Sequence, residues 1–199
     1  AAQNYGCKVT TTTISDAQFN YAQSRIEKLG LQDKITLLKQ DYRDLTGSFD
    51  KVVSIEMIEA VGYEFLPSFF KQCNDLLKNG GKLLIQSITI ADQRFDYYRS
   101  NVDFIQRYIF PGGFLPSVNV LSDNITKHSS LVVEQLDDIG LDYAQTLAHW
   151  REKFLVSWSD LTQFGYDETF KRLWLYYFAY CEGAFLERST SAVHIVARK

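Results

Sequence analysis

Short apolar runs alternate with amphipathic stretches over the first 90 residues, and this pattern predicts strand–helix units. Lys8 to Ile14, "KVTTTTI", is β-branched and reads as a strand. From Ser15 to Leu29 the residues Phe19, Tyr21, Ala22, Ile26 and Leu29 recur at helical spacing, and Gly30 stops the pattern. Lys34 to Gln40, "KITLLKQ", predicts a second strand, "DYRDLTGSFD" a loop, and Lys51 to Glu56 a third strand. Phe65 to Leu77 predicts a helix ended by a turn at "KNGGK", and Lys82 to Ile90, "KLLIQSITI", a fourth strand. Alternation of this kind with short loops implies an α/β fold with a doubly wound, mostly parallel sheet. Ligands of such sheets bind beyond the carboxyl ends of the strands. Those ends are Thr13/Ser15, Asp41/Tyr42, Glu56/Glu59 and Gln86/Ser87.

The pattern breaks between residues 91 and 124. This segment is aromatic, bears arginines and holds two of the three prolines, so it reads as a lid inserted into a single domain spanning 1–199. Leu131 to Leu136 is strand-like, and Asp142 to Trp158 is helical. Glu168 to Phe185 is a long helix with Phe170, Leu173, Trp174, Tyr177 and Phe178 on an apolar face, and "AVHIVARK" closes the chain as a strand.

Composition narrows the class. A hydrophobic content of 46% with 23% charged residues is that of a folded chain. A net charge of -3 argues against nucleic acid as a partner. The three cysteines, Cys7, Cys73 and Cys181, are odd in number and far apart, which fits free thiols in a reducing cytoplasm. No apolar run approaches the roughly 20 residues of a membrane span. His128, His149 and His194 are isolated and lack metal-ligand spacing, so no metal is expected.

Several strand-end residues carry candidate chemistry beside a plainer role. Ser15 and Gln18 have the spacing of a capping box, and with Thr13 they also face a ligand position; both roles can hold at once. Asp41 and Tyr42 follow the second strand, where an acid accepts from an exocyclic amine and an aromatic ring stacks on a base; a solvated loop acid is the plainer reading. Glu59 lies three residues beyond Glu56 where a helix begins, and acids are favoured at helix N-termini. Phe110, Phe114 and Leu115 in "IFPGGFLPS" flank a Pro-Gly turn and either seal a core or line an apolar entrance.

Together "SIEMIEAVG", "LLIQSITI", "VDFIQRYIFPGGFLPS", "DDIGLDYAQTLAHWREKF" and "YCEGAFLER" resemble the cyclopropane-fatty-acyl-phospholipid synthases and the mycolic-acid cyclopropane and methyl transferases. The resemblance runs over nearly all 199 residues. It implies a Rossmann-like class I S-adenosylmethionine-dependent methyltransferase fold, and methylene or methyl transfer onto the double bond of an unsaturated acyl chain, free or in a phospholipid. It implies bicarbonate as the base that takes a proton from the new methyl group. A carbocation requires an aromatic-lined apolar cavity with a base beside it. By the resemblance Glu59 helps hold that ion, Tyr143 donates its hydroxyl to it, and the Ile88 N–H is a further donor. Gln86 stands where well-known members carry histidine; glutamine bonds an anion but does not titrate near neutrality. Glu56 falls at a position the family does not require and reads as a loop or cap acid. Thr13, Ser15, Gln18, Asp41, Tyr42 and Arg43 are the cofactor-binding positions.

The family's first strand and its glycine-rich turn are expected upstream of Ala1, as is a cysteine that helps bind bicarbonate. The chain is therefore expected to be an N-terminally truncated fragment that binds S-adenosylmethionine poorly alone. It is also expected to associate as a homo-oligomer, or by a strand swap, through the missing strand's place. A cytoplasmic location is expected, with peripheral contact to the inner membrane face. Two rival readings are a related methyltransferase acting on nitrogen or another small acceptor, and a non-catalytic lipid-binding remnant.

Overall fold

A computed structural model describes all residues, 1–199. The chain divides into two compact units, residues 1–48 and 49–199.

The first unit holds a short helix α1 (Ala2–Tyr5), strand β1 (Val9–Thr12), helix α2 (Asp16–Lys28) and strand β2 (Ile35–Leu38). β1 and β2 pair in parallel, from Val9 opposite Ile35 to Thr12 opposite Leu38. Both strands are shorter than the β-branched runs that announce them. Ile14 is well exposed, because the chain has already turned at Thr13 to enter α2. Phe19, Ala22 and Ile26 form the half-buried face of α2, whereas Tyr21 and Leu29, which share the apolar spacing, are exposed.

The second unit is built on a four-stranded sheet in the order β3 (Phe49–Ile55), β4 (Leu77–Ile90), β6 (Thr190–Arg198), β5 (Val132–Asp138). β3 and β4 are parallel, and β6 runs antiparallel to both β4 and β5. Helix α3 (Leu66–Leu76) joins the parallel pair, with Leu66, Phe69, Phe70 and Cys73 buried. β4 begins earlier than predicted. "KNGGK" interrupts the β3–β4 register, with Gly80 at φ 76, yet it stays within the strand, since Gly80 N–H donates to the Lys199 carbonyl and Lys199 N–H to that of Gly81. Side chains of β4 alternate between faces. Leu83 and Ile85 are fully buried, while Ile88 joins Ala192 against α7 (Gly140–Val156) and α9 (Glu168–Leu186), whose own contribution includes Ala144, Leu147, Phe178 and Phe185.

Between β4 and β5 lie α4 (Phe95–Ser100), α5 (Phe104–Tyr108) and α6 (Val118–His128); α8 (Trp158–Thr162) follows α7. The segment predicted as a lid to residue 124 therefore ends in a core helix. Ser117 caps α6 by accepting from Val120 N–H, and Leu121 and Ile125, four residues apart, are fully buried.

Candidate active site

The site begins where β3 stops and β4 continues. Glu56 N–H donates to the Gln86 carbonyl at 2.9 Å, as the next rung of a parallel ladder would. A regular strand would then offer the Glu56 carbonyl to Ile88 N–H. Instead Glu56 adopts φ 49, a left-handed conformation uncommon outside glycine, and the backbone turns away. The freed Ile88 N–H donates to Glu59 Oε1 at 2.6 Å, and the Ser87 hydroxyl donates to the same oxygen at 3.2 Å. Ile58, fully buried between the two acids, anchors the turn. Glu59 Oε2 is buried and has no hydrogen-bond partner. Burial pushes the Glu59 carboxyl above its ordinary value, against the lowering effect of its hydrogen bonds.

Tyr143 reaches the same place from α7. That helix starts at Gly140, tight against β6: a Cβ there would lie 2.2 Å from Ser191 Oγ. The Tyr143 ring stacks on Phe185 at 4.8 Å, and its hydroxyl donates to Glu56 Oε2 at 3.1 Å. Burial first, then the Glu56 charge, pushes the Tyr143 phenol well above its usual range. Gln86 Nε2 donates to Glu56 Oε1 at 2.8 Å, and Gln86 Oε1 lies 2.9 Å from Nε2 of His194, its cross-strand neighbour on β6.

Tyr143 and Gln86 meet on Glu56, and Ile88 meets Glu59 three residues further on. These partners differ from the expectation. Glu56 is not a cap acid, because the helical turn Ile58–Ala60 starts from Met57 with no side-chain cap bond. The sequence held one hint of its role, a second acid at the same strand end. His194 had none, since its link to Gln86 depends on the β4–β6 register.

A cavity of about 880 Å³ opens from Glu56, Glu59 and Ile88. Its walls are mainly apolar and carry several aromatic rings. Tyr98, Phe104 and Phe110 come from the α4–α5 segment, and Tyr177 and Tyr180 from α9. Phe114 is buried against Tyr63, Phe95 and Tyr98, so it seals, while the half-exposed Phe110 lines the opening beside Tyr177. The segment is tied to the acids directly, since Phe114 N–H donates to the Glu59 carbonyl at 2.9 Å. Arg94 lines the cavity, and Arg99 lies over the Tyr63 ring at 4.7 Å.

The cofactor candidates lie in the first unit and form two local clusters. Ser15 Oγ accepts from Gln18 N–H and caps α2, and Thr13 Oγ1 donates to Gln18 Oε1 at 2.7 Å. The box is not reciprocal, because Ser15 N–H goes to Thr13 Oγ1 instead of to Gln18. Asp41 accepts from the Arg43 backbone and guanidinium through both oxygens, which holds its carboxyl down at about 2. Tyr42 follows in the short helical turn Tyr42–Asp44.

The profile of the mycolic acid cyclopropane synthetase family matches residues 1–195. The chain belongs to that family. It is 39% identical over 196 residues to the cyclopropane-fatty-acyl-phospholipid synthase of Escherichia coli, covering 98% of this chain and 48% of that protein. It is 38% identical over 180 residues to the tuberculostearic acid methyltransferase UfaA1 of Mycobacterium tuberculosis, covering 90% and 42%. The chain therefore spans about half the length of these curated relatives. Its fold matches the cyclopropane synthase MmaA2 of Mycobacterium tuberculosis with a TM-score of 0.89 at 21% identity, covering all of this chain and 72% of that one. The mycolic acid cyclopropane synthase CmaA1, solved with SAH and CTAB, gives the same TM-score at 22% identity over the same shares. The fold class is the Rossmann-like α/β methyltransferase class expected from the sequence.

Proposed function

We propose that this chain carries the catalytic groups of an S-adenosylmethionine-dependent transferase that adds a methylene or methyl group to the double bond of an unsaturated fatty acyl chain. The observation that carries this reading is the cavity of about 880 Å³, apolar along its walls with several aromatic rings, and ending at two carboxylates. An apolar chain suits the walls, and a positive charge developing on it suits aromatic faces and nearby acids. The acceptor of an amine methyltransferase would be better served by polar walls, which argues against that rival.

S-adenosylmethionine, when bound, supplies an electrophilic methyl group. Asp41 suits its adenosine end: a carboxylate has about four acceptor directions. Arg43 uses three, leaving Oδ2 free to take one N–H. Thr13, Ser15 and Gln18 stand at the end of the neighbouring strand. Bicarbonate fits beside Glu59, whose unpartnered Oε2 accepts an O–H. There it would serve as proton acceptor, with Tyr143, Gln86 and Ile88 around it. The aromatic segment, residues 94–115, acts as the lid that keeps water from this end of the cavity.

Tyr97, Val102, Tyr108 and Phe110 are exposed on the lid, and none of Arg94, Arg99 and Arg107 pairs with a carboxylate. Apolar tips beside cations that lack a carboxylate partner favour a phospholipid surface. No helix is long and apolar enough to cross a membrane. These features support a reading of peripheral contact with the inner membrane face. Mass spectrometry of lipids from cells expressing the protein tests the reading. Acyl chains heavier by one CH2 as a ring or branch are expected, and an unchanged lipid profile with detectable protein would overturn it.

A further inference from the structure

We infer that Glu56 is a positioning residue of this centre: its carboxylate holds the Tyr143 hydroxyl, the Gln86 carboxamide and, through Gln86, the His194 ring in one fixed arrangement. The centre itself rests on the function proposed above; the hydrogen-bonded network does not.

Three independent features carry the assignment. The first is connectivity. Glu56 joins the end of β3 to α7 and β4, with Oε2 3.1 Å from the Tyr143 hydroxyl and Oε1 2.8 Å from Gln86 Nε2. Both partners donate, so the carboxylate is the sink of the network. Gln86 has its amide nitrogen toward Glu56, and its carbonyl must then face His194 at 2.9 Å. That carbonyl carries no proton, so His194 Nε2 is the donor. Exchanging the two ends of Gln86 would set its carbonyl against the Glu56 carboxylate and break that bond.

The second is backbone strain. A non-glycine residue at φ 49 is costly and is retained where its side chain is needed. Glycine would make this turn freely. It would not supply the carboxylate.

The third is the absence of the plainer role. Glu56 caps no helix, since the following turn begins at Met57 without a side-chain cap bond. The same left-handed turn releases Ile88 N–H to Glu59. One residue thus orients Tyr143 and Gln86 by its side chain and, by its backbone turn, frees Ile88 N–H for Glu59.

The test separates positioning from simple support of the fold. A fluorinated tyrosine, which ionises several pH units lower than tyrosine, is placed at position 143 of the whole chain and followed by fluorine NMR. Glu56→Gln keeps the volume and removes the charge, and should lower the titration midpoint at position 143 by about one pH unit. Glu56→Gly relieves the strain, so it should melt at the same temperature as the unmodified chain or higher, with the midpoint again lowered. With Tyr143 unlabelled, Glu56→Gly should reduce kcat for methyl transfer on the order of a hundredfold, with KM for the methyl donor unchanged. An unmoved midpoint in Glu56→Gln overturns the inference. So does a Glu56→Gly protein that melts lower and keeps its kcat. Absence of methyl transfer by the unmodified protein counts against the proposed function alone, and the titration still decides the network.

Discussion

Glu59 is half-buried, with one oxygen satisfied and the other buried and bare, and this fixes how its charge couples to stability. Its carboxyl is raised in the fold, chiefly by burial, from an ordinary value of 4.5. The native state therefore holds a proton more tightly than the unfolded chain. Its stabilising contribution is present below the unfolded value and is lost as pH rises through the folded one, by about 1.4 kcal/mol for each pH unit that separates the two. Glu59→Gln cannot ionise. Relative to this variant, the protein should lose stability as pH rises above the ordinary carboxyl value of 4.5; denaturant unfolding at several pH values measures it, and parallel curves would contradict the assignment. Turnover should fall on the order of a hundredfold or more in the variant. Equal loss of folding and turnover would mean a structural acid only. Glu59 was legible because the strand end and the family motif both point to it. Glu56 was not, because its partners Tyr143 and Gln86 lie 87 and 30 residues away. Local spacing offers only a cap reading for such an acid.

At the scale of elements, the lid and α7 divide stability from function in different ways. Phe114 is buried in an aromatic cluster, whereas Phe110 stands half-exposed at the opening. Phe114→Ala should cost about 3–5 kcal/mol. Phe110→Ala should change stability by no more than about 0.5 kcal/mol while raising KM for the acyl substrate. Thermal melts and kinetics on both variants check the contrast, and equal losses would mean that the two rings share one role. Gly140 fixes α7 against β6, because a Cβ would meet Ser191 Oγ at 2.2 Å and Asp138 Oδ1 at 3.2 Å. Gly140→Ala should destabilise by about 1–3 kcal/mol and displace Tyr143; Ser191→Gly in the same chain should recover part of both losses. The strands and long helices were legible from their periodicity. Helix α6 was hidden because two prolines and a pair of glycines precede it, and only burial of Leu121 and Ile125 distinguishes it from the lid. "KNGGK" does break the β3–β4 register, as its glycines signal, while the bonds of Gly80 and Gly81 to Lys199 at the far end of the chain keep it within the extent of β4.

On the scale of the whole molecule, the sheets leave one strand exposed in a way that bears on behaviour in solution. β3 pairs with β4 along one edge and with no strand along the other. Val53 and Ile55, which share one face of β3, are 61% and 52% exposed. An unpaired edge carrying apolar side chains is a template for another strand, and natural sheets blunt such edges with charge, bulges or a covering element. Here no charged residue stands between Val52 and Ile55. β1 likewise pairs only with β2. The chain should therefore associate reversibly, with the fraction of larger species rising with concentration in sedimentation velocity. Val53→Lys with Ile55→Lys places two charges on the edge without touching the buried Leu83 or Ile85 of β4, so the double variant should remain monomeric and melt within a few degrees of the unmodified chain. A chain that sediments as a monomer at every concentration would show that the edge is covered, and association unchanged in the double variant would place the contact elsewhere.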